Sequence, residues 1–264
     1  MEKHKQEQEQ EQEQEQEQEQ EQEQEQEQEQ LARKRPHITL SMIVRNEEQR
    51  YLRQAIETHR PWIDRAVIID DGSTDGTATM CRELLQGIPL VLVENPVSLF
   101  SDEVSLRKQQ WKETIETNPE WILNLDADEI LTPDFGVLRD EMLSGSEEAI
   151  YFRLFDMWSE TAYREDTFWQ AHVYYRPFLV RYRPGMVCEW KETPQHCGRF
   201  PISIQHLPYA CHEPRVKHYG WAREEDRVRK YLRYQSLDPE ARYGWKEQYE
   251  SILDAEPRLM AWLD

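Results

Sequence analysis

Trp121-Ile122-Leu123-Asn124-Leu125-Asp126-Ala127-Asp128-Glu129 passes from a compact apolar stretch straight into three carboxylates. A short apolar run of this kind suits a buried strand, which places the acids at its carboxyl end. In an open α/β sheet that end faces the ligand crevice. Carboxylates spaced this tightly repel one another unless a cation sits between them, and hard oxygen donors suit Mg2+ or Mn2+. Such an ion bridges phosphates and neutralises a leaving diphosphate. Acidic strings also occur as plain solvated loops, so the motif draws its weight from its neighbours.

Upstream, the pattern repeats. Residues 38–44 (ITLSMIV) form a β-branched, apolar run that ends in Arg45-Asn46-Glu47, and residues 66–69 (AVII) end in Asp70-Asp71-Gly72-Ser73-Thr74-Asp75-Gly76. Between them, Asn46 is placed to cap a helix with Glu47 and Glu48 in its first turn, Leu52, Ala55 and Ile56 on its apolar stripe, and Pro61 as its stop. Residues 77–85 and 104–115 predict further helices, and residues 90–93 a third strand. This β-α-β-α-β-α-β order predicts an α/β fold with a mainly parallel sheet flanked by helices. Residues 150–155 and 173–182 alternate and are rich in aromatics, which predicts a smaller antiparallel part. After Trp221 the chain reads as helix, with Glu225/Arg229 and Asp226/Lys230 at i, i+4 spacing.

Charge and composition narrow the function. Of the formal net charge of −20, residues 1–30 carry −11, from 13 Glu against two Lys. Residues 7–30 alternate Glu and Gln without one apolar residue to bury, so a solvated tail irrelevant to catalysis is expected; an interaction or solubilising arm is the rival reading. The rest is mildly acidic, which predicts no nucleic-acid partner. No apolar run is long enough to span a bilayer and no secretory leader pattern opens the chain. A soluble, cytoplasmic protein is expected, with room for peripheral membrane contact. The four cysteines lack C-x-x-C spacing and read as free thiols, with His196-Cys197 and Cys211-His212 as the alternative of soft metal ligands.

Three motifs in order, residues 38–48 (ITLSMIVRNEE), residues 67–77 (VIIDDGSTDGT) and residues 125–129 (LDADE), resemble the family-2 glycosyltransferases over residues 36–133. The resemblance implies the GT-A fold and inverting, metal-dependent transfer from a nucleotide diphosphate sugar to a hydroxyl acceptor, in glycoconjugate or surface polysaccharide synthesis. It implies a division into a tail and linker (1–35), a glycosyltransferase domain (36–235, with donor half 36–133 and acceptor half 134–221) and a C-terminal helical segment (236–264). Carried over by position, Val44 and Glu47 border the base, Asp71 accepts a hydrogen bond from the base ring, and Arg107 lies near the donor. Asp126 faces ribose or metal-bound water, and Asp128 meets the Mn2+ or Mg2+. His218 completes the metal site, and Lys230, with Arg227 and Arg233, meets the leaving phosphates.

For the base that takes the acceptor proton, Glu192 is the first candidate, then Glu189, with Glu213 behind them. Related enzymes show a His-Glu pair where this chain has His196-Cys197. Trp158, Trp169, Tyr174, Tyr175 and Trp190 suit either a sugar platform or core packing. Two other functions compete. A non-catalytic nucleotide-sugar-binding or scaffold protein would keep the same pocket, and a sugar nucleotidyltransferase is disfavoured because no Gly-rich loop follows the first strand.

Overall fold

The computed structural model describes residues 35–263. The chain divides into Met1–Pro36 and His37–Asp264. Of the first unit only Arg35 and Pro36 are described, so the expected Glu-Gln tail lies outside the described residues.

Strand β1 (Ile38–Val44) lies between β2 (Arg65–Asp70) and β4 (Trp121–Asn124), parallel to both, and β3 (Leu90–Glu94) extends the parallel set beyond β2. The β-branched run is buried on both faces, as a central parallel strand requires. Helices α1 (Leu52–His59), α2 (Thr77–Leu84) and α3 (Glu103–Ile115) connect these strands, so the alternation predicted from sequence is observed.

One local expectation is corrected. Asn46 does not cap α1, which starts at Leu52. It adopts φ +53°, in the left-handed region open to Asn, and joins the first loop to the second. Its N–H donates to Ser73 Oγ at 2.9 Å, and its Oδ1 accepts from Thr74 N–H at 2.8 Å. Glu47 N–H donates to Thr77 Oγ1 at 2.7 Å, while Glu48 Oε2 accepts from Gly76 N–H at 3.0 Å. The Asn-Glu-Glu and Asp-Gly-Ser-Thr-Asp-Gly motifs are therefore two halves of one hydrogen-bonded structure.

Beyond β4 come β5 (Glu129–Leu131), α4 (Asp134–Ser144), β6 (Ala149–Asp156), β7 (Ala162–Arg164), β8 (Tyr175–Arg181) and β9 (Tyr209–His218). The large sheet has the order β3-β2-β1-β4-β8-β6-β9-β5. β8 runs antiparallel to β4 and β6, and β5 antiparallel to β9, whereas β6 and β9 are parallel. A single core of Leu40, Met42, Leu123, Phe135, Phe152 and Phe178 runs under both parts. Within it His59 is fully buried and accepts Leu131 N–H through Nε2 at 3.1 Å, tying α1 to β5. Burial pushes its pKa down to about 3, so the ring is neutral.

Helices α5 (Glu224–Leu237) and α6 (Lys246–Ser251) follow. The end of the segment expected to be helical instead forms β10 (Leu259–Ala261), antiparallel to β7. No helix among the described residues is long and apolar enough to cross a membrane.

Candidate functional site

The carboxyl ends of β1 and β4, the start of α3, the end of β9 and one face of α5 enclose a cavity of about 550 Å³. Val44, Glu47, Arg107, Asp126, Asp128, His218 and Lys230 all line it. Seven sequence candidates from five separate segments thus meet in one place. Asp71, Glu189, Glu192 and Glu213 do not line it.

Sheet register brings the acids and the histidine together. β9 sets His218 opposite Glu129 of β5 on one side and opposite Asp156 of β6 on the other. Asp156 Oδ1 meets His218 Nδ1 at 2.8 Å and also accepts Trp221 Nε1–H at 3.1 Å. With Nδ1 engaged, Nε2 points towards Asp128 Oδ1 at 3.7 Å and Lys230 Nζ at 3.4 Å. Burial opposes charge on Asp128, but His218 and Lys230 outweigh it and hold its carboxyl below the ordinary range. Burial and the Lys230 ammonium oppose protonation of His218; Asp128 and Asp156 prevail and raise it.

Gly220 closes this cluster. A Cβ there would lie 2.5 Å from Asp128 Oδ2 and 2.6 Å from His218 Nε2, and nearer still to Lys230 Nζ. The three polar tips thus surround a space that only a glycine leaves open.

Asp126 is set by other partners. Arg107 Nη2 donates to its Oδ1 at 2.9 Å, and its backbone N–H donates to Glu129 Oε2, also at 2.9 Å. Burial again opposes the charge, while Arg107 and then Arg199 hold the carboxyl well below the usual range. Arg199 grips Glu129 with two bonds of 2.7 Å and donates to Asn124 O, bracing the strand end from beneath.

Glu47 sits at the same end of the cavity, with Arg50, Asp128, Asp226 and Lys230 as its charged neighbours. Burial dominates and lifts its pKa to about 8. Arg50 donates to its Oε1 at 2.9 Å and reaches Asp226 Oδ2 at 3.2 Å, which fastens α5 to the loop after β1.

The remaining candidates are placed elsewhere. Asp71 is fully buried, and both of its oxygens are taken by the loop after β3: Leu99 N–H donates to Oδ1 at 2.8 Å and Ser98 Oγ to Oδ2 at 2.5 Å. It therefore holds the loop after β3. Glu192 is exposed and bonded to Lys108 at 2.6 Å, and Glu189 is exposed beside Ser203. Arg227 donates to Trp221 O at 2.7 Å and does not face the cavity, whereas Arg233 does. Trp158 and Trp169 pack with Trp221, Tyr234 and Tyr249 in a buried aromatic cluster, so they are core.

Sequence reasoning missed Arg50, Glu103, Asp156, Gln195, Arg199 and Asp226. Asp156 carried a usable signal, an acid closing an alternating strand. Arg199 carried none, since its partner Glu129 lies 70 residues away. All four cysteines are free, and among the described residues no group of three or more His, Cys, Asp or Glu side chains could hold a metal ion.

Residues 39–190 match the family model of Glycosyl transferase family 2. The lipopolysaccharide core biosynthesis glycosyltransferase LpsC of Rhizobium meliloti (strain 1021) is 30% identical over 121 residues. That stretch is 45% of this chain and 42% of the relative, so the chain spans less than half of the curated relative it matches. Among solved structures, S. aureus TarS gives a TM-score of 0.48 at 14% identity, covering 82% of this chain and 42% of that one. Glucosyl-3-phosphoglycerate synthase from Mycobacterium tuberculosis, in complex with Mn2+, UDP and glucosyl-3-phosphoglycerate, gives 0.33 at 19% identity, covering 46% and 44%. With more than half of its residues matched, the chain belongs to Glycosyl transferase family 2.

Proposed function

We propose that this protein transfers a sugar, with inversion, from a nucleoside diphosphate sugar to a hydroxyl acceptor. The observation that carries the reading is the convergence of Asp126, Asp128, His218 and Lys230 on one cavity at the carboxyl ends of parallel strands. Glycoconjugate or surface polysaccharide synthesis is the setting, in keeping with the lipopolysaccharide relative.

The residues present fit a divalent cation held jointly with substrate. Asp128 supplies a hard oxygen, and His218 an imidazole whose Nε2 is aimed by the Asp156 bond to Nδ1. Two protein ligands are few, but Mg2+ and Mn2+ are commonly held by one or two side chains plus substrate phosphates. When bound, the ion supplies charge neutralisation for the departing diphosphate.

The chain's own groups do the rest. Lys230 and Arg233 of α5 face the cavity and offer charge to the phosphates, while Arg107 fixes Asp126 for the ribose side. Val44 and Glu47 form the wall nearest the loop after β1.

The test is a two-stage assay. A panel of UDP-, GDP- and dTDP-linked sugars is first screened for thermal stabilisation with Mn2+ present. Release of free nucleotide from the stabilising donor is then compared between wild type and Asp128→Asn. A donor that stabilises and is turned over by the wild type, with both effects reduced in Asp128→Asn, is expected. Equal release by the variant would remove Asp128 from the reaction, and stabilisation without turnover in either would favour a binding or scaffold protein.

A further inference from the structure

Five carboxylates line the cavity, Glu47, Glu103, Asp126, Asp128 and Asp226, and an inverting transfer needs one of them to take the acceptor proton. Three are paired with a guanidinium at 2.9 to 3.2 Å. Glu47 is bonded to Arg50 and Asp126 to Arg107, each at 2.9 Å. Asp128 lies between His218 and Lys230, and Asp226 is buried between Arg50 at 3.2 Å and Arg229 at 3.3 Å. Asp128 has two cations, at 3.7 and 3.8 Å, at the metal end, whereas Glu103 has one, Arg107 Nε at 3.8 Å from Oε1, and that guanidinium is already bonded to Asp126.

Glu103 is also placed firmly. It opens α3, its N–H donates to Pro194 O at 2.9 Å, and its Oε2 accepts His196 N–H at 2.7 Å. His196 holds φ +56° and its N–H occupies Oε2, while Glu103 itself lines the cavity. The same Arg107 that nears Oε1 binds Asp126, so Glu103 stands one guanidinium group away from the metal motif.

Its neighbours on the loop are poor bases. Burial pushes the Cys197 thiol up to about 12, and the His196 ring is engaged at Nε2 by Tyr249 OH at 2.5 Å, which in turn donates to Asp238 at 3.1 Å.

Resting on the transferase reading above, we propose that Glu103 is the general base, a role that its position along the chain did not suggest. The acceptor oxygen attacks the anomeric carbon and its proton passes to Glu103 Oε1. The bond from that carbon to the phosphate oxygen breaks, and its electron pair leaves with the nucleoside diphosphate. The proton is later lost to water, and no oxidant or reductant is needed.

Glu103→Gln separates basicity from placement, because the amide oxygen still accepts His196 N–H. Water serves as the acceptor: release of UDP from UDP-glucose, UDP-N-acetylglucosamine or UDP-galactose is followed with Mn2+ from pH 4 to 9, with GDP-mannose run alongside for GDP. Binding of UDP or GDP is measured by calorimetry. The expected result is a kcat lowered about 100-fold or more, loss of the acid limb of the pH profile, unchanged nucleotide binding, and partial recovery in Glu103→Asp. Wild-type kcat in Glu103→Gln, or a retained acid limb, overturns the assignment while leaving the transferase reading intact. Nucleotide binding lost in parallel with kcat makes Glu103 a structural residue and overturns it equally. A wild type that neither binds nor hydrolyses these donors removes the transferase reading and Glu103's role with it.

Discussion

Gly220→Ala tests the site at its tightest point. Gly220 has no positive φ, so its backbone would accept an alanine without strain; the constraint is space. The added methyl falls against Lys230 Nζ, Asp128 Oδ2 and His218 Nε2 together. Lys230 ends a flexible chain and can swing away at little cost. Asp128 and His218 cannot follow as easily, since Asp128 leads directly into the buried strand β5 and the imidazole is pinned by Asp156 at 2.8 Å. Overpacking of this kind costs about 1–3 kcal/mol, and at about 2–4 °C per kcal/mol for a chain of this size the melting temperature should fall by roughly 2–12 °C. The larger effect falls on ligand. Parting Asp128 from His218 by about 1 Å removes the joint ligand pair, and a loss of about 2–3 kcal/mol weakens Mn2+-dependent UDP binding by roughly 30- to 150-fold. Calorimetric titration of UDP with and without Mn2+ reads this directly. A variant that binds UDP with wild-type affinity and the same metal dependence would refute the idea that these three tips form the phosphate and metal end of the cavity.

Three further outcomes follow from the same geometry. Arg199→Met should destabilise the fold by about 3–5 kcal/mol in urea melts, because it strands buried Glu129 without its bidentate partner; a cost under about 1 kcal/mol would contradict the brace. Glu47 is raised from 4.5 to about 8 by burial, so its contribution to stability is full below pH 4.5 and lost as pH rises through 8. At roughly 1.4 kcal/mol per unit this amounts to a few kcal/mol, and Glu47→Gln should show a flatter melting profile between pH 5 and 9 than the wild type; superimposable profiles would sink it. Asp71→Ala should free the loop after β3, lowering the melting temperature and raising amide exchange at Leu99, whose N–H loses its 2.8 Å acceptor.

The parallel part of the sheet was legible because its information is local. Each parallel strand announces itself by a buried run, and each run ends where the sheet ends, so Asp126 and Asp128 could be placed by counting along one segment. Asp71 shows the limit of that method. Position alone brought it to the strand end, but whether a carboxylate there faces ligand or loop depends on Ser98 and Leu99, more than 25 residues on. Glu103 was out of view for a related reason. Glu192 and Glu189 lie where chain order suggests a base, while the loop between Pro194 and His196 folds back on the start of α3 and meets Glu103. That contact spans 93 residues and has no periodic or compositional trace.

Net charge misleads in the same way, and the cavity shows why. The chain carries −20 overall, which would seem to repel a diphosphate. Around the cavity, however, Arg45, Arg50, Arg107, Arg229, Lys230 and Arg233 face the five carboxylates, and Glu47 with a pKa near 8 is largely neutral at pH 7. The local field is therefore positive, and it is a local field at a few ångströms, not the screened total, that a bound anion feels. Arg229, Lys230 and Arg233 share one helix, α5, whose buried Asp226 is fastened by Arg50 to the loop after β1. The acid that anchors the helix and the cations that face the cavity lie within two turns of each other. Fixing the helix thus fixes the positive charge over the carboxylate pair, at the end of the cavity proposed for the diphosphate.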